Sequence, residues 1–157
     1  MPAHHRSKRS AFTLIEILIV VVILGILAAI VIPSFTGATD EARQSTFIAS
    51  LKTYADACEY FTVKEGRFPP DGSSGSLPAG FAAYVDQEEY ESPTPLGGVW
   101  DTEFNDSGVT SAIGVHFNGD PVPGYMLQID ETFDDGNLSS GIFQQLAADR
   151  FYYIVEP

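Results

Sequence analysis

The sequence predicts an α+β chain: a long N-terminal helix, membrane-spanning in its first half, packed through its second half on a small C-terminal antiparallel sheet. Three observations predict it. Residues 12–32 read FTLIEILIVVVILGILAAIVI, 21 positions with a single ionisable side chain. Apolar residues then recur at three- and four-residue intervals as far as Phe61, and Gly66 follows. Beyond Pro69 and Pro70 the pattern changes to short alternating runs divided by Gly, Asn and Asp. That change of interval is what separates helix from strand in a sequence.

The first element is the apolar run. At about 1.5 Å per residue its 21 residues extend roughly 31 Å, the thickness of a hydrocarbon core. A buried helix in a soluble protein shows a polar face, and here only Thr13 and Glu16 interrupt the apolar surface. What remains of the 157 residues makes one domain of about 100, too small to surround such a helix. Arg6, Lys8 and Arg9 precede the run, and basic residues stay on the cytoplasmic side, so the body is expected outside. His4 and His5 lack the further ligands of a metal site.

Glu16 is the anomaly of this segment. A carboxylate in hydrocarbon costs about 2.5–3.5 kcal/mol, while its attraction to the first turn's dipole returns about 0.3–1 kcal/mol when exposed. A partner, or a path to the headgroups, must supply the difference. Gly25 and Ala29, with Ala28 beside them, form a small-xxx-small spacing that lets helices approach closely and is also ordinary in membrane helices. Pro33 removes an amide donor and disfavours straight helix at that point. A secretory signal peptide cut after Thr36-Gly37-Ala38 is the competing explanation, but the run is long for that purpose and begins with a carboxylate.

The second half of the helix is amphipathic. Phe47, Leu51, Tyr54, Cys58 and Phe61 form one stripe, and Asp40, Glu41, Arg43, Lys52, Asp56 and Lys64 lie mostly off it. Gly66 is a good C-cap, and Pro69-Pro70 forbids continuation. Residues 69–98 read as loop with one short helix near Phe81 to Val85. Val99 to Phe104 and Ser111 to Phe117 are expected strands joined through Asn105 to Gly108; Met126, Ile129 and Phe133 have helical spacing. Gly141 to Leu146 and Phe151 to Val155 form a final hairpin.

Composition narrows function. Hydrophobic residues make up 45% and charged residues 18%, which excludes a disordered chain. Beyond Phe12 five basic residues face twenty-one acids, so nucleic acid is not an expected partner. Cys58 is the only cysteine, and no intramolecular disulfide can form. No catalytic residue is assigned: past the leader His116 is the only histidine, no Walker loop occurs, and GSSGS is a flexible linker by composition.

The string RSKRSAFTLIE, a basic leader ending in a small residue before Phe, Thr, Leu, Ile and Glu, resembles the class III leader of type IV pilins and pseudopilins. The resemblance implies a prepilin peptidase that cuts between Ala11 and Phe12 and methylates the new amine of Phe12. Ala11 stands where the family usually has Gly. It further implies that Glu16 pairs with the amino terminus of a neighbouring subunit, and that the stretch between Gly25 and Pro33 unwinds when subunits pack. The expected organisation is a leader at 1–11, a membrane and filament-core helix at 12–33, its amphipathic half at 34–66 and a body at 67–157. The expected function is a structural subunit of a type II secretion pseudopilus or a type IV pilus. It would be held first in the inner membrane with its N-terminus cytoplasmic, then in an extracytoplasmic filament. Implied partners are the peptidase, other pilin or pseudopilin subunits, an inner-membrane assembly platform, and lipid before assembly. The alternative is a low-abundance tip or membrane-tethered recognition module with Trp100, Tyr152 and Tyr153 near an exposed surface.

No cofactor is assigned. The nearest approach to a metal site is Asp130, Glu131, Asp134, Asp135 and Asn137 around Gly136. Calcium takes about six to eight oxygens, and several could converge here, though the EF-hand spacing is absent. The resemblance implies a calcium site in the C-terminal loop of major pseudopilins, and a solvated helix end accounts for the same residues.

Overall fold

The computed structural model describes residues 12–157, except the side chains of residues 31–36. Helix α1 runs over Leu14–Glu65, 52 residues. It is followed by a 3-10 turn at Phe81–Ala83 and by α2 at Gln87–Glu91. Strands β1 (Val99–Asp106) and β2 (Val109–His116) come next, then α3 (Met126–Phe133), β3 (Phe143–Ala147) and β4 (Arg150–Glu156). The sheet is wholly antiparallel in the order β1-β2-β4-β3. This is the α+β, pilin-like arrangement expected from the sequence.

Contacts divide the chain into two compact units that meet at Asp40 and Glu41, inside α1. In the first unit, apolar side chains from Phe12 to Ile30 stand exposed, from 48% at Val20 to 88% at Leu14. A Cβ on Gly25 would meet nothing within 4 Å. The backbone is helical from Leu14 through Pro33. One missing amide removes one bond from a ladder that the neighbouring turns maintain.

In the second unit the expected stripe is the core. Phe47, Leu51 and Phe61 are fully buried, with Tyr54 and Cys58 nearly so. Against them the sheet presents Trp100, Ile113, Val115, Phe143 and Phe151. Phe47 stacks on Trp100 at 5.4 Å and meets Phe143 edge-on, and Tyr54 meets Trp100 edge-on at 4.8 Å. Aromatic pairs add about 0.5–1.5 kcal/mol each beyond the area they bury. α1 stops where the sequence says: Gly66 takes a φ of +69° and donates its amide to the Thr62 carbonyl at 2.9 Å, the left-handed end that glycine adopts without a Cβ penalty.

The β1–β2 hairpin is tighter than expected. Ser107 and Gly108, both at positive φ, form a two-residue loop between Asp106 and Val109, so the strands extend further than the apolar alternation reached. Two positive-φ residues give the twist that suits a short hairpin. The opposite face of the sheet carries a smaller apolar cluster of Val109, Ala112, Tyr152 and Ile154. Loops bond to both outer strands: the Gly75 amide donates to the Trp100 carbonyl of β1, and the Gln145 amide of β3 donates to the Leu138 carbonyl, each at 2.8 Å.

Trp100 and Tyr152 were expected near an exposed surface, and both are buried, at 2% and 0%; Tyr153 is half-buried. Trp100 fills the layer between α1 and the sheet. Tyr152 faces the other way, and its hydroxyl donates to Asp101 at 2.7 Å and lies 3.0 Å from Glu103. An aromatic-rich strand is thus spent on packing rather than on a recognition surface.

Candidate functional site

The N-terminal segment carries the most specific chemistry, and its first turn is organised by Thr13 and Glu16. Thr13 precedes the first helical residue, and its backbone amide and hydroxyl both donate to Glu16 Oε2, at 2.8 and 2.6 Å. In return the Glu16 amide donates to Thr13 Oγ1 at 3.3 Å. This is a reciprocal capping box, in which two orphan donors of a helix start are satisfied at once. The signal stands in the sequence as T-L-I-E ahead of an apolar run. The box gives Glu16 a local set of donors in the separate chain.

Of the residues expected in processing and assembly, Phe12 is described and exposed, while Ala11 lies outside the described residues. Glu16 sits in the first turn, Gly25 lies on the open surface of α1, and Pro33 lies within α1 with its side chain outside the described set. Among the described residues no helix is long and apolar enough to cross a membrane. The described apolar stretch ends at Ile30, short of the whole expected span.

The second candidate is the loop after α3. Carboxylate oxygens of Asp130, Asp134 and Asp135 all lie within 4.8 Å of one another. Asp134 Oδ2 accepts the amides of Ile142 at 2.5 Å and Phe143 at 2.7 Å. Asp135 accepts from the Asn137 amide and the Ser140 hydroxyl, both at 2.8 Å. Asn137 Oδ1 receives the Ser139 amide at 3.2 Å, so its side-chain oxygen closes the turn. Gly141, with φ at +78°, passes so close to the Asp134 carboxylate that a Cβ would collide with it.

Asp130 is different. It is fully buried, and neither carboxylate oxygen has a hydrogen-bond partner. Burial, then the charges of Asp134 and Asp135, push its carboxyl above the usual carboxylate range, and the nearby amides of Asn137 and Gly136 oppose this only in part. An orphaned buried carboxylate with two acids beside it needs a proton or a cation. The donor set is hard oxygen throughout, which fits calcium in kind.

The buried carboxylates of the sheet are provided for. Glu103 and Asp101 share Arg150, and the Tyr152 hydroxyl lies within hydrogen-bonding distance of both. Burial still raises Glu103. Asp101 also accepts from Ser74 Oγ at 3.0 Å, and Ser74 lies 2.8 Å from His116 Nδ1. Asp71 and Asp106 gather near Glu103, but the guanidinium already serves that carboxylate.

Residues 6–32 match the family model of the prokaryotic N-terminal methylation motif. A chain headed by that motif, whose long helix packs on an antiparallel sheet, is a pilin-like protein. It is similar to the type II secretion system core protein G of Pseudomonas aeruginosa, 41% identical over 64 residues, covering 41% of this chain and 45% of that one. The core protein G of Aeromonas hydrophila is 33% identical over the same length and coverage. The type IV narrow pilus major component PilA5 of Thermus thermophilus is 38% identical over 77 residues, covering 44% of this chain and 66% of that one. The chain is therefore a relative of type IV pilins and type II secretion pseudopilins. It spans less than half the length of the core protein G relatives it matches. No solved structure matches it.

Proposed function

We propose that this protein is a structural subunit of a type II secretion pseudopilus or a type IV pilus, assembled through its N-terminal helix and without catalytic activity of its own. The observation that carries the reading is the segment 12–30. Its apolar side chains are exposed along the described helix, under a methylation motif that ends at residue 32. Such a surface needs lipid or other helices to cover it. In this reading the leader is removed between Ala11 and Phe12, Phe12 is N-methylated, and residues 12–33 hold the protein in the inner membrane before assembly. The N-terminus then faces the cytoplasm and the body lies outside. Prepilin peptidase, an assembly platform and other subunits are the partners. Glu16 receives the amine of a neighbouring Phe12, and Gly25 and Pro33 bound the stretch that adjusts on packing.

The alternative, a low-abundance tip or recognition module, loses its proposed surface, since Trp100 and Tyr152 are buried. The orphaned Asp130 supports one addition: Asp130, Asp134 and Asp135 would hold a calcium ion that ties the end of α3 to the start of β3.

Intact mass of the protein isolated from membranes tests the processing. The expected mature chain starts at Phe12 and carries one methyl group, and Ala11→Trp accumulates as full-length precursor because the peptidase site needs a small side chain. A start at Thr39, or an uncut wild-type chain, would sink the reading.

A further inference from the structure

The body contains a cleft of about 290 Å³ between α1 and the segment that enters α2, walled by Ala49, Thr53, Tyr54, Tyr84, Asp86 and Glu89. Its two ionisable carboxylates face no basic residue in the lining. Asp86 Oδ1 accepts the Glu89 amide at 2.9 Å, which fixes the turn, whereas Glu89 has no hydrogen bond or ion pair from its own carboxylate. Tyr54 is only 3% exposed, and its hydroxyl has no hydrogen-bond partner. Burial, then the charges of Glu89 and Asp86, push that hydroxyl up to about 12. Tyr84 adds an aromatic ring, held by a bond from its hydroxyl to Glu65 at 2.7 Å.

The cations of the body supply the other half. Lys52 lies over the Phe133 ring at 5.0 Å, Lys64 over Tyr60 at 5.3 Å and Arg67 over Phe61 at 5.0 Å. Arg150 is paired with Glu103 and Asp101. Among the described residues Arg43 is the one basic side chain with no partner in its own chain, and it is exposed. It precedes Ala49 on α1 by six residues, about 9 Å along the axis. Two parallel copies displaced by about that distance bring the Arg43 of one level with the cleft of the other.

We propose that this cleft is a socket for the Arg43 guanidinium of a second copy of the chain. The inference rests on the assembly reading above and names a contact within it. A guanidinium suits the site better than an ammonium: its planar fork donates to the two carboxylates and its face lies on the Tyr84 ring. The acidic body has few cations, so a single free arginine opposite an acidic cleft sets the register of neighbouring copies.

The test measures incorporation into sheared filaments at equal membrane levels for wild type, Arg43→Glu, Glu89→Arg and the double reversal. Arg43 is unpartnered and Glu89 exposed, so the fold tolerates the changes. Each single reversal is expected to lower incorporation by about tenfold or more, the lower end for a close interfacial charge pair, and the double to restore most of it. A full-length Arg43→Cys/Glu89→Cys variant should give an oxidised ladder of dimers and higher species, with Cys58 silent because it is buried. If wild type forms filaments and the single reversals enter them equally well, the socket is wrong and assembly stands. Loss in both singles without rescue, and without a ladder, assigns the cleft to a basic group of another protein and overturns the proposal. Wild-type protein that never leaves the membrane removes the assembly reading and the socket with it.

Discussion

Residues 12–30 and residues 41–157 are built from similar apolar side chains and treat them in opposite ways. In the first, Leu, Ile and Val point outward along the helix without selecting a face. In the second, the aromatic stripe of α1 is covered by Trp100, Phe143 and Phe151, and the acids lie mostly outside. The difference teaches where each region's stability comes from. The body supplies its own interior, whereas the N-terminal helix leaves its apolar side chains uncovered by the chain itself, so changes in the two regions should be read by different assays.

The largest expected effect separates the assays completely. Glu16→Ala should reduce filament incorporation by about a hundredfold or more, since leaving one charge of a buried pair alone costs about 3–5 kcal/mol. Body unfolding should be unchanged. Glu16→Asp, which keeps the charge on a shorter arm, should fall between. Equal incorporation of the three proteins at equal membrane levels would remove the pairing.

Next, Phe47→Ala should destabilise the body by about 3–5 kcal/mol, because it opens a cavity beneath Trp100 that neighbours fill only partly. Leu18→Ala, from the exposed run, should leave the body's unfolding midpoint where it was. Urea titrations in detergent, followed by Trp100 fluorescence, make the comparison. A shift of similar size from Leu18→Ala would mean that the two regions share a core.

The smallest effect concerns Asp130, whose carboxyl is raised in the folded state. With its folded value above the unfolded one, the group helps the fold below the ordinary carboxylate range and loses that help as pH rises through the folded value. Asp130→Asn stays neutral, so in chelator it should match wild type near pH 3 and exceed it at pH 7 by about 1–3 kcal/mol, the range for an unsatisfied buried group. Added calcium should raise the wild-type melting temperature and leave Asp130→Asn unmoved. A wild type insensitive to calcium would leave a proton as the partner of Asp130.

Much of the architecture was legible because it is written in intervals. The stripe from Phe47 to Phe61, the stop at Gly66, α3 from Met126 to Phe133 and the last hairpin all follow from spacing and turn residues. Burial of Trp100 and Tyr152 was not legible, because alternation shows that two faces differ without showing which of them a loop will cover. The cleft at Asp86 and Glu89 was equally hidden, since its walls come from residues far apart in the chain. The Thr13–Glu16 box, by contrast, was local and readable from four consecutive residues.

The two outer strands carry a last consequence. Unpaired strand edges invite other chains to add on, and a subunit proposed to polymerise can least tolerate a second route to self-association. Here one loop amide closes on the Trp100 carbonyl, the Gln145 amide turns inward to Leu138, and β3 is only five residues long with a slip in its register. The sheet is thereby blunted as a template. Were the bodies crowded side by side in the proposed filament, these edges would give β-pairing little to build on.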